Sequence, residues 1–245
     1  MEHPMLKSPL LPVALVAGIC IIVAFVLGAR IATANLSSNT ITVVGSTTKQ
    51  VKSDTIKWNA DISRVVKISA VKDGYAQVAS DLVQVKAYLK TSGIPDESVV
   101  IGIPQLMQNY DTPQFAEKEY TVSQTVTVNG VGDEQINKIT DLAKSNQTLL
   151  NKGVMFITRN VDYLYSKLPE ERVAMLADAV KDAKSRATTL AQSAGGTIGN
   201  LRSASAGVVQ VLPLNSIQIS DYGTYDTSSI DKNIMVTVRT VFTVK

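Results

Sequence analysis

The strongest helix signal in the chain runs from Pro169 to Gly199. Small and apolar residues recur there at alternating steps of three and four, which places them on one narrow stripe of a helix. Pro169 suits the first turn, where its missing N–H costs nothing, and Gly195 and Gly196 provide a stop. Because the stripe is rich in alanine, the segment predicts a helix lying close on the chain's own sheet, with a partner helix as the alternative. The stripe consists of Val173, Leu176, Val180, Ala183, Ala187, Leu190 and Ala194.

The order of strand and helix signals occurs twice along the chain. A strand, a long helix and two strands are predicted at about 55–66, 73–92, 98–104 and 119–130. The same order is predicted again at about 153–165, 169–194, 197–212 and 233–245. Units of this kind form a mixed or antiparallel sheet with its helices on one face. We therefore expect an α+β fold built from two strand-helix-strand-strand repeats.

Four segments are expected along the chain, of which one is a large folded domain. They are an N-terminal tail (1–9), an apolar segment (10–30), a linker (31–40) and the domain (41–245). Within the domain we expect repeat one at about 41–130, a middle helix at about 133–146 and repeat two at about 150–245.

The apolar segment predicts one transmembrane helix in contact with membrane lipid. Residues 10–29 contain no charge, and a helix of this length spans about 30 Å, the thickness of a bilayer's hydrocarbon core. Lys7 and Arg30 flank it. We expect a single-pass protein of a bacterial inner membrane with its C-terminal domain in the periplasm. The alternative is a signal peptide cleaved near Ala34, with the domain released into the periplasm.

Composition excludes several classes of function. After residue 34 the chain keeps 22 of its 24 Lys and Arg and 20 of its 21 Asp and Glu, a balance that argues against nucleic-acid binding. The only histidine is His3 and the only cysteine is Cys20, so the domain lacks Ser-His-Asp, Cys-His and histidine or cysteine zinc sites. We expect no catalytic residue, no cofactor and no metal ion, and hence no enzyme.

Paired carboxylates are the remaining chemical possibility. Glu117 with Glu119, or Asp54 with Asp61, is a candidate pair. A carboxylate cleft between two lobes would make the chain a periplasmic small-ligand-binding protein or an enzyme, and acids of raised pKa would mark it. Arg186 is a candidate anion-binding residue, although we expect it to pair with Asp182, one helical turn away.

Two long connections, residues 104–118 and 213–232, carry many apolar residues. Loops of this length without secondary structure are uncommon in compact domains and are often functional. One interpretation is a pair of extended hairpin arms that contact another subunit; the alternative is that the loops fold back on their own sheet or are mobile. The candidates for oligomer contacts are Leu106, Met107, Tyr110, Phe115, Leu214, Ile217, Ile219, Tyr222 and Tyr225.

Three stretches of the chain resemble the SIMPL-domain family, which includes bacterial periplasmic immunogenic proteins. In the first, Val43 and Gly45 precede Asp54 and a strand; the second runs from Tyr120 to Ala143. The third carries Ala179, Ala183, Arg186, Ala187, Leu190, Ala191, Gly195 and Gly199 at the family's spacing. The chain departs from the pattern at its start, with Ser46-Thr47 where a second glycine is common and Ser53 where proline is common.

The resemblance implies an exported or envelope-bound protein. Some similar proteins assemble into large rings, and some are associated with tolerance of oxidative stress. The family has no catalytic motif to transfer. Together with the apolar connections, this predicts a non-enzymatic, membrane-anchored envelope protein that forms a large homo-oligomer and acts as a scaffold or as a platform for an unidentified protein partner.

Overall fold

The computed structural model describes residues 21–26, 39–110, 117–145, 147–216 and 220–245. It has the mixed α+β architecture that the sequence predicts, and its strands form two sheets. The strands are β1 (Thr40–Lys52), β2 (Thr55–Lys67), β3 (Val99–Ile101), β4 (Gln105–Gln108), β5 (Glu119–Val131), β6 (Phe156–Leu164), β7 (Ile198–Pro213), β8 (Thr224–Tyr225) and β9 (Asp231–Val244). The helices are α1 (Val71–Thr91), α2 (Asp133–Lys144), α3 (Gln147–Leu150) and α4 (Leu168–Ser193).

Each sheet has a simple strand order. The first is β3-β5-β2-β6, with β4 also paired to β5, and the second is β1-β9-β7-β8. Strands β2 and β5 pair antiparallel over their whole length, from Thr55 opposite Val131 to Lys67 opposite Glu119. Strand β6 takes the other side of β2, also antiparallel. Strand β1 therefore belongs to the second sheet, whereas β6, which follows α3, belongs to the first.

Residue contacts divide the chain into two compact units. The smaller unit consists of Met1–Ser46, Asp178–Gly207 and Thr237–Lys245. The larger unit consists of Thr47–Ala177 and Val208–Val236.

The core of the larger unit lies on one face of β2 and β5. Side chains of a strand point alternately to opposite faces, and Ile56, Trp58, Ala60 and Ile62 are all buried, as their alternation predicts. The Trp58 ring meets the Phe156 ring edge to face, with 5.4 Å between centroids. The Trp58 indole N–H also donates to Thr158 Oγ1 at 3.1 Å, so the polar atom of this buried ring has a partner.

A nearly buried ion pair joins β2 to α1 in the larger unit. Arg64 donates from Nε and from its terminal nitrogen to the two carboxylate oxygens of Asp81, at 2.6 and 2.8 Å. Arg64 also donates to the Gly153 carbonyl at 2.8 Å. The hydrogen bonds that Arg64 donates to Asp81 raise the pKa of its guanidinium. This bidentate pair fixes the helix on the sheet through geometry as well as charge.

In the smaller unit, the buried residues of α4 are all alanines. Ala179, Ala183, Ala187 and Ala191 are buried at spacings of four residues. A Cβ added to Gly45 of β1 would overlap the backbone of α4 at Ala179 and Ala183. The helix and the strand are therefore in backbone-close contact, which only very small residues allow.

The predicted stripe on α4 is wrong in part. Ala183 and Ala187 are buried as expected, but Val173 is 70% exposed and Leu190 is 52% exposed. The apolar residues of the predicted stripe lie on a helix face beside the face that contacts the sheet. Because α4 approaches the strand closely, larger side chains do not fit between them and lie on the flank. The end of the helix is as predicted, since Gly195 has a φ of 80° and the Gly196 N–H donates to the Ala191 carbonyl at 2.8 Å.

The predicted anchor, 10–30 with flanking Lys7 and Arg30, lies outside the described residues except for 21–26, which are helical. Within the part of the chain that the structure describes, no helix is long and apolar enough to cross a membrane.

Candidate functional site

The first connection begins as an edge strand. Strand β4 pairs antiparallel with β5, from Gln105 opposite Ser123 to Gln108 opposite Tyr120. The Asn109 N–H then donates to the Glu119 carbonyl at 2.9 Å. This part of the connection folds back on its own sheet, as one of the two interpretations predicts.

Apolar side chains of this connection nevertheless point into solvent. Met107 is 63% exposed and Tyr110 is 85% exposed, and Leu106 is also exposed. Ile103 is an exposed apolar residue that the sequence interpretation did not include. Phe115 lies outside the described residues. An ordered backbone thus presents a short run of apolar side chains.

The second connection is held to its own unit at several points. Strand β8 pairs in parallel with β7, Gln210 opposite Thr224 and Val211 opposite Tyr225. The Tyr225 hydroxyl accepts a hydrogen bond from the Tyr165 N–H at 2.9 Å, so this candidate for oligomer contact already has a role within the chain.

Tyr222 is 97% exposed, and Leu214 is also exposed. Ile217 and Ile219 lie outside the described residues. Tyr222 is therefore the described side chain of this connection with the greatest exposure among the candidates.

A buried lysine closes the second connection. Lys232 is 0% exposed, and its ammonium donates to the Asp226 carbonyl at 2.6 Å and to Asp226 Oδ2 at 3.1 Å. The Asp226 carboxylate also accepts from the N–H groups of Ser228 and Ser229, at 3.0 and 3.2 Å, and from both hydroxyls.

Burial and hydrogen bonding have opposite effects on this pair. Burial acts to raise the pKa of the Asp226 carboxyl, but hydrogen bonds from Ser229, Ser228 and Lys232 outweigh it and hold that pKa well below its usual range. Burial lowers the pKa of the Lys232 ammonium, while Asp226 opposes the shift. Sequence analysis missed this pair, although an aspartate followed by two serines is a turn signal.

The two carboxylates Asp54 and Asp61 do not form a site. They are seven residue steps apart along an extended chain, which at about 3.3 Å per step is about 23 Å. Asp54 accepts from the Ser166 N–H and hydroxyl at 2.8 and 2.7 Å. Asp61 pairs with Arg159 at 2.6 Å and accepts from the Thr125 hydroxyl at 2.7 Å. Each acid is an acceptor in its own local network.

Glu117 and Glu119 lie near each other but have no catalytic geometry. Glu117 accepts from the Ser69 hydroxyl at 2.6 Å and lies 3.3 Å from the Lys67 ammonium. The hydrogen bond from Ser69 contributes most to lowering the Glu117 pKa. Glu119 stands opposite Lys67 in the β2–β5 pairing.

The described acids whose pKa values are shifted all have lowered pKa values. They are Asp54, Glu117, Glu171, Asp182 and Asp226. These carboxylates are ionised acceptors at neutral pH, whereas a general acid needs a raised pKa. No three His, Cys, Asp or Glu residues among those described are close enough together to hold a metal ion.

Arg186 pairs with Asp182 at 2.8 Å, as predicted. Asp182 Oδ2 also accepts from the Ser46 N–H of β1 at 2.8 Å, and this hydrogen bond is the largest cause of the lowered Asp182 pKa. The arginine therefore holds an acid that accepts a hydrogen bond from the main chain of an edge strand.

The smaller unit contains an open pocket of about 210 Å³. Its lining comes from three neighbouring strands: Val44 of β1, Thr237 and Arg239 of β9, and Ser205, Ala206 and Gly207 of β7. Val43 and Phe242 pack with Ala183 and Ala187 of α4, so the alternating neighbours of these strand residues face away from the helix. The pocket thus lies on the helix-free face of the sheet, and sequence analysis gave no sign of it.

Comparison with known proteins supports the resemblance inferred from the motifs. No curated protein matches the chain. The family model described as "SIMPL: Protein of unknown function (DUF541)" matches residues 41–240, which is most of the chain. The chain therefore belongs to the SIMPL family.

Proposed function

We propose that this chain is a non-enzymatic, membrane-anchored bacterial envelope protein that self-assembles into a large homo-oligomer. In that form it acts as a scaffold or as a platform for a protein partner. The resemblance to envelope proteins suggests a ring and a link to oxidative-stress tolerance. Each of the two strand-helix-strand-strand repeats provides one of the long connections, residues 104–118 or 213–232, for contact with another subunit.

One observation carries the proposal: each connection presents a strongly exposed aromatic ring on an anchored segment. Tyr110 follows the β4–β5 pairing, and Tyr222 precedes the clamp formed by Asp226 and Lys232. Tyrosine is enriched among the residues that dominate binding energy at protein interfaces. An anchored backbone loses less conformational freedom on association than a mobile loop does.

The membrane part of the proposal is supported by the amino-acid sequence. Residues 10–29 are uncharged and long enough to span a bilayer, and Lys7 and Arg30 flank them. This favours a single-pass inner-membrane protein with a periplasmic domain over a protein released by cleavage near Ala34. A released protein would run as a shorter chain than the intact one on a denaturing gel of cell fractions.

The test of self-assembly is the mass of the full chain in detergent, measured by light scattering after size exclusion. The double variant Tyr110→Ser with Tyr222→Ser is expected to reduce the oligomer to smaller species. Tyr75→Ser is the matched control, because Tyr75 is a partly exposed tyrosine on α1, outside both connections. A monomeric wild-type chain, or an oligomer that the double variant leaves intact, would refute this assembly mode.

The alternative function, a ligand-binding protein or enzyme with a carboxylate cleft, requires acids of raised pKa. Asp54, Asp61 and Glu117 instead accept hydrogen bonds from neighbouring donors, and the pKa values of Asp54 and Glu117 are lowered. No observation therefore favours the alternative.

A further inference from the structure

Half of strand β7 has an unpaired edge. In the smaller unit, residues 198–207 of β7 have β9 as their neighbour on one side. Strand β8 pairs only with Gln210 and Val211, beyond this stretch. No other described strand pairs with residues 198–207, and residues 200–206 are all exposed. Ten strand residues provide an open edge of about 33 Å.

On the opposite edge of the same sheet, one main-chain group of β1 already has a side-chain partner. There the Ser46 N–H of β1 donates to Asp182, which Arg186 holds in place. Proteins commonly block sheet edges with charges, prolines or covering elements, because an open edge is a template for another strand. Residues 198–207 contain no proline and no acid, and their one charged residue is Arg202. The β7 edge over residues 198–207 is therefore available for pairing with another strand.

The sheet of the smaller unit is positively charged. Residues 40–46, 198–207 and 237–245 contain Arg202, Arg239 and Lys245 and no acidic residue. A second copy of the chain would present the same strand residues, which offer no acidic side chain to Arg239. An acidic segment of another protein would instead be complementary in charge, and complementary charges speed association and disfavour wrong partners.

The pocket lies next to the open edge and contains one of these cations. Ser205 and Gly207 of β7 line it, together with Arg239 of β9. Arg239 makes no ion pair with any acid in the described ranges. A Cβ at Gly207 would overlap the Thr237 hydroxyl, so glycine keeps the side of the pocket next to the edge open.

We propose that the edge of β7 over residues 198–207 binds an extended acidic segment of a partner protein by strand addition, with a carboxylate of that segment in the pocket beside Arg239. This inference specifies the partner-binding role proposed above and rests on it. Main-chain hydrogen bonds to β7 provide the affinity, and the pocket provides the specificity, as in other cases of strand addition. Arginine suits the second task because its guanidinium binds a carboxylate with two parallel hydrogen bonds. The hydroxyls of Ser205 and Thr237 are further donors in the pocket.

The test uses the full chain in detergent and three fluorescein-labelled peptides of ten residues. The peptides alternate serine and valine and carry two glutamates, two glutamines or two lysines at matched positions on one face. Fluorescence anisotropy measures binding at low and high salt. We expect the glutamate peptide to bind about tenfold more tightly than the glutamine peptide, because hydrogen bonds to a charged group are stronger than those between neutral groups. This advantage should shrink at high salt, and the lysine peptide should bind least.

Variants locate the bound peptide. Arg239→Gln is expected to remove the advantage of the glutamate peptide over the glutamine peptide. Arg172→Gln is the matched control, because it removes the same charge from an exposed position on α4 in the larger unit. Amide hydrogen exchange gives a second readout: the glutamate peptide should protect amides in residues 198–207 and leave residues 40–46 unchanged.

Three results would overturn the proposal. The first is equal affinity for the glutamate and glutamine peptides. The second is protection outside residues 198–207. The third is protection of 198–207 in the peptide-free oligomer, which would mean that a second copy already occupies the edge. Failure of the tyrosine-mediated assembly is distinguishable, because Tyr110→Ser with Tyr222→Ser should leave peptide binding unchanged.

Discussion

The ion pair that closes the second connection makes a quantitative prediction. The Lys232 ammonium is fully buried, and its two acceptors both belong to Asp226. Asp226→Asn removes the negative charge and keeps the shape of the side chain. We expect this variant to lower the free energy of unfolding by about 3 kcal/mol at pH 7, because it leaves a buried cation without its counter-charge.

Two considerations determine that magnitude. Removing one partner of a buried ion pair costs about 3–5 kcal/mol. Lys232 limits the loss, because it can release its proton: neutralising a lysine of ordinary pKa at pH 7 costs about 4.6 kcal/mol, at about 1.36 kcal/mol per pKa unit. The Asp226 carbonyl still accepts from the ammonium in the variant, at 2.6 Å in the wild type. The expected loss therefore lies at the lower end of the range.

Urea and thermal unfolding of the full chain in detergent measure the effect. Trp58 is the only tryptophan and is buried in the larger unit, so its fluorescence reports on the unit that contains Lys232. A loss of about 3 kcal/mol corresponds to a melting temperature lower by about 6–12 °C for a chain of this size. The pKa of Lys232 is already lowered in the fold, so the cost of its charge is present below that pKa and disappears as pH rises through it. The difference between variant and wild type should therefore be smaller at pH 9 than at pH 7.

The control is the double variant Asp226→Asn with Lys232→Met. Methionine removes the ammonium and fills a similar volume, so the double variant should be more stable than Asp226→Asn alone. A loss below about 1 kcal/mol for Asp226→Asn, or a double variant no more stable than the single one, would show that the buried charge does not govern stability here.

Three further predictions concern other contacts. Gly45→Ala should destabilise the protein by about 1–3 kcal/mol or more in urea unfolding, because the added methyl overlaps the backbone of α4; full stability would contradict the close contact. Asp81→Ala should lower the free energy of unfolding by about 2 kcal/mol, because it removes the bidentate pair with Arg64. Asp96→Ala removes the exposed pair with Lys90 and should change the free energy of unfolding by less than about 0.5 kcal/mol; equal losses for the two variants would refute this difference. Carboxyls of lowered pKa such as Asp54 stabilise the fold at pH values above their ordinary pKa of 3.8, and this contribution is lost as pH falls through their folded pKa. The urea concentration at half-unfolding should therefore decrease when the pH is lowered below about 4. A urea midpoint that stays the same from about pH 5 to about pH 2 would exclude such a contribution.

Local patterns predicted the secondary structure closely. The strand expected at 55–66 is β2, Thr55–Lys67, and the helix expected at 169–194 is α4, Leu168–Ser193. Alternation of apolar and polar residues and the three-to-four spacing of helices are properties of neighbouring residues, so the chain alone reveals them. The short strands β4 and β8 were missed, because a strand of two to four residues has too little periodicity to be recognised.

The environments of the candidate functional residues, in contrast, could not be predicted from local patterns. Tyr110 and Tyr225 look equivalent in sequence, yet Tyr110 is exposed and the Tyr225 hydroxyl binds Tyr165 within the chain. Lys232 looks like a surface lysine and is fully buried. These differences depend on residues that are distant in sequence, and no local pattern contains them.

The amino-acid sequence alone was enough to locate most of the helices and strands and to recognise a mixed α+β chain of the SIMPL family. It also showed that residues 41–245 contain no histidine and no cysteine. The three-dimensional fold was needed to show that α4 contacts β1 through alanines, whereas Val173 and Leu190 are exposed. It was also needed to show that Asp182 accepts from the Ser46 N–H of β1 and that a pocket containing Arg239 adjoins β7. Periodicity along the chain determines which residues share a face of a helix or strand. Which of those residues are in contact depends on how closely two elements approach each other, and that distance is not a property of the local sequence.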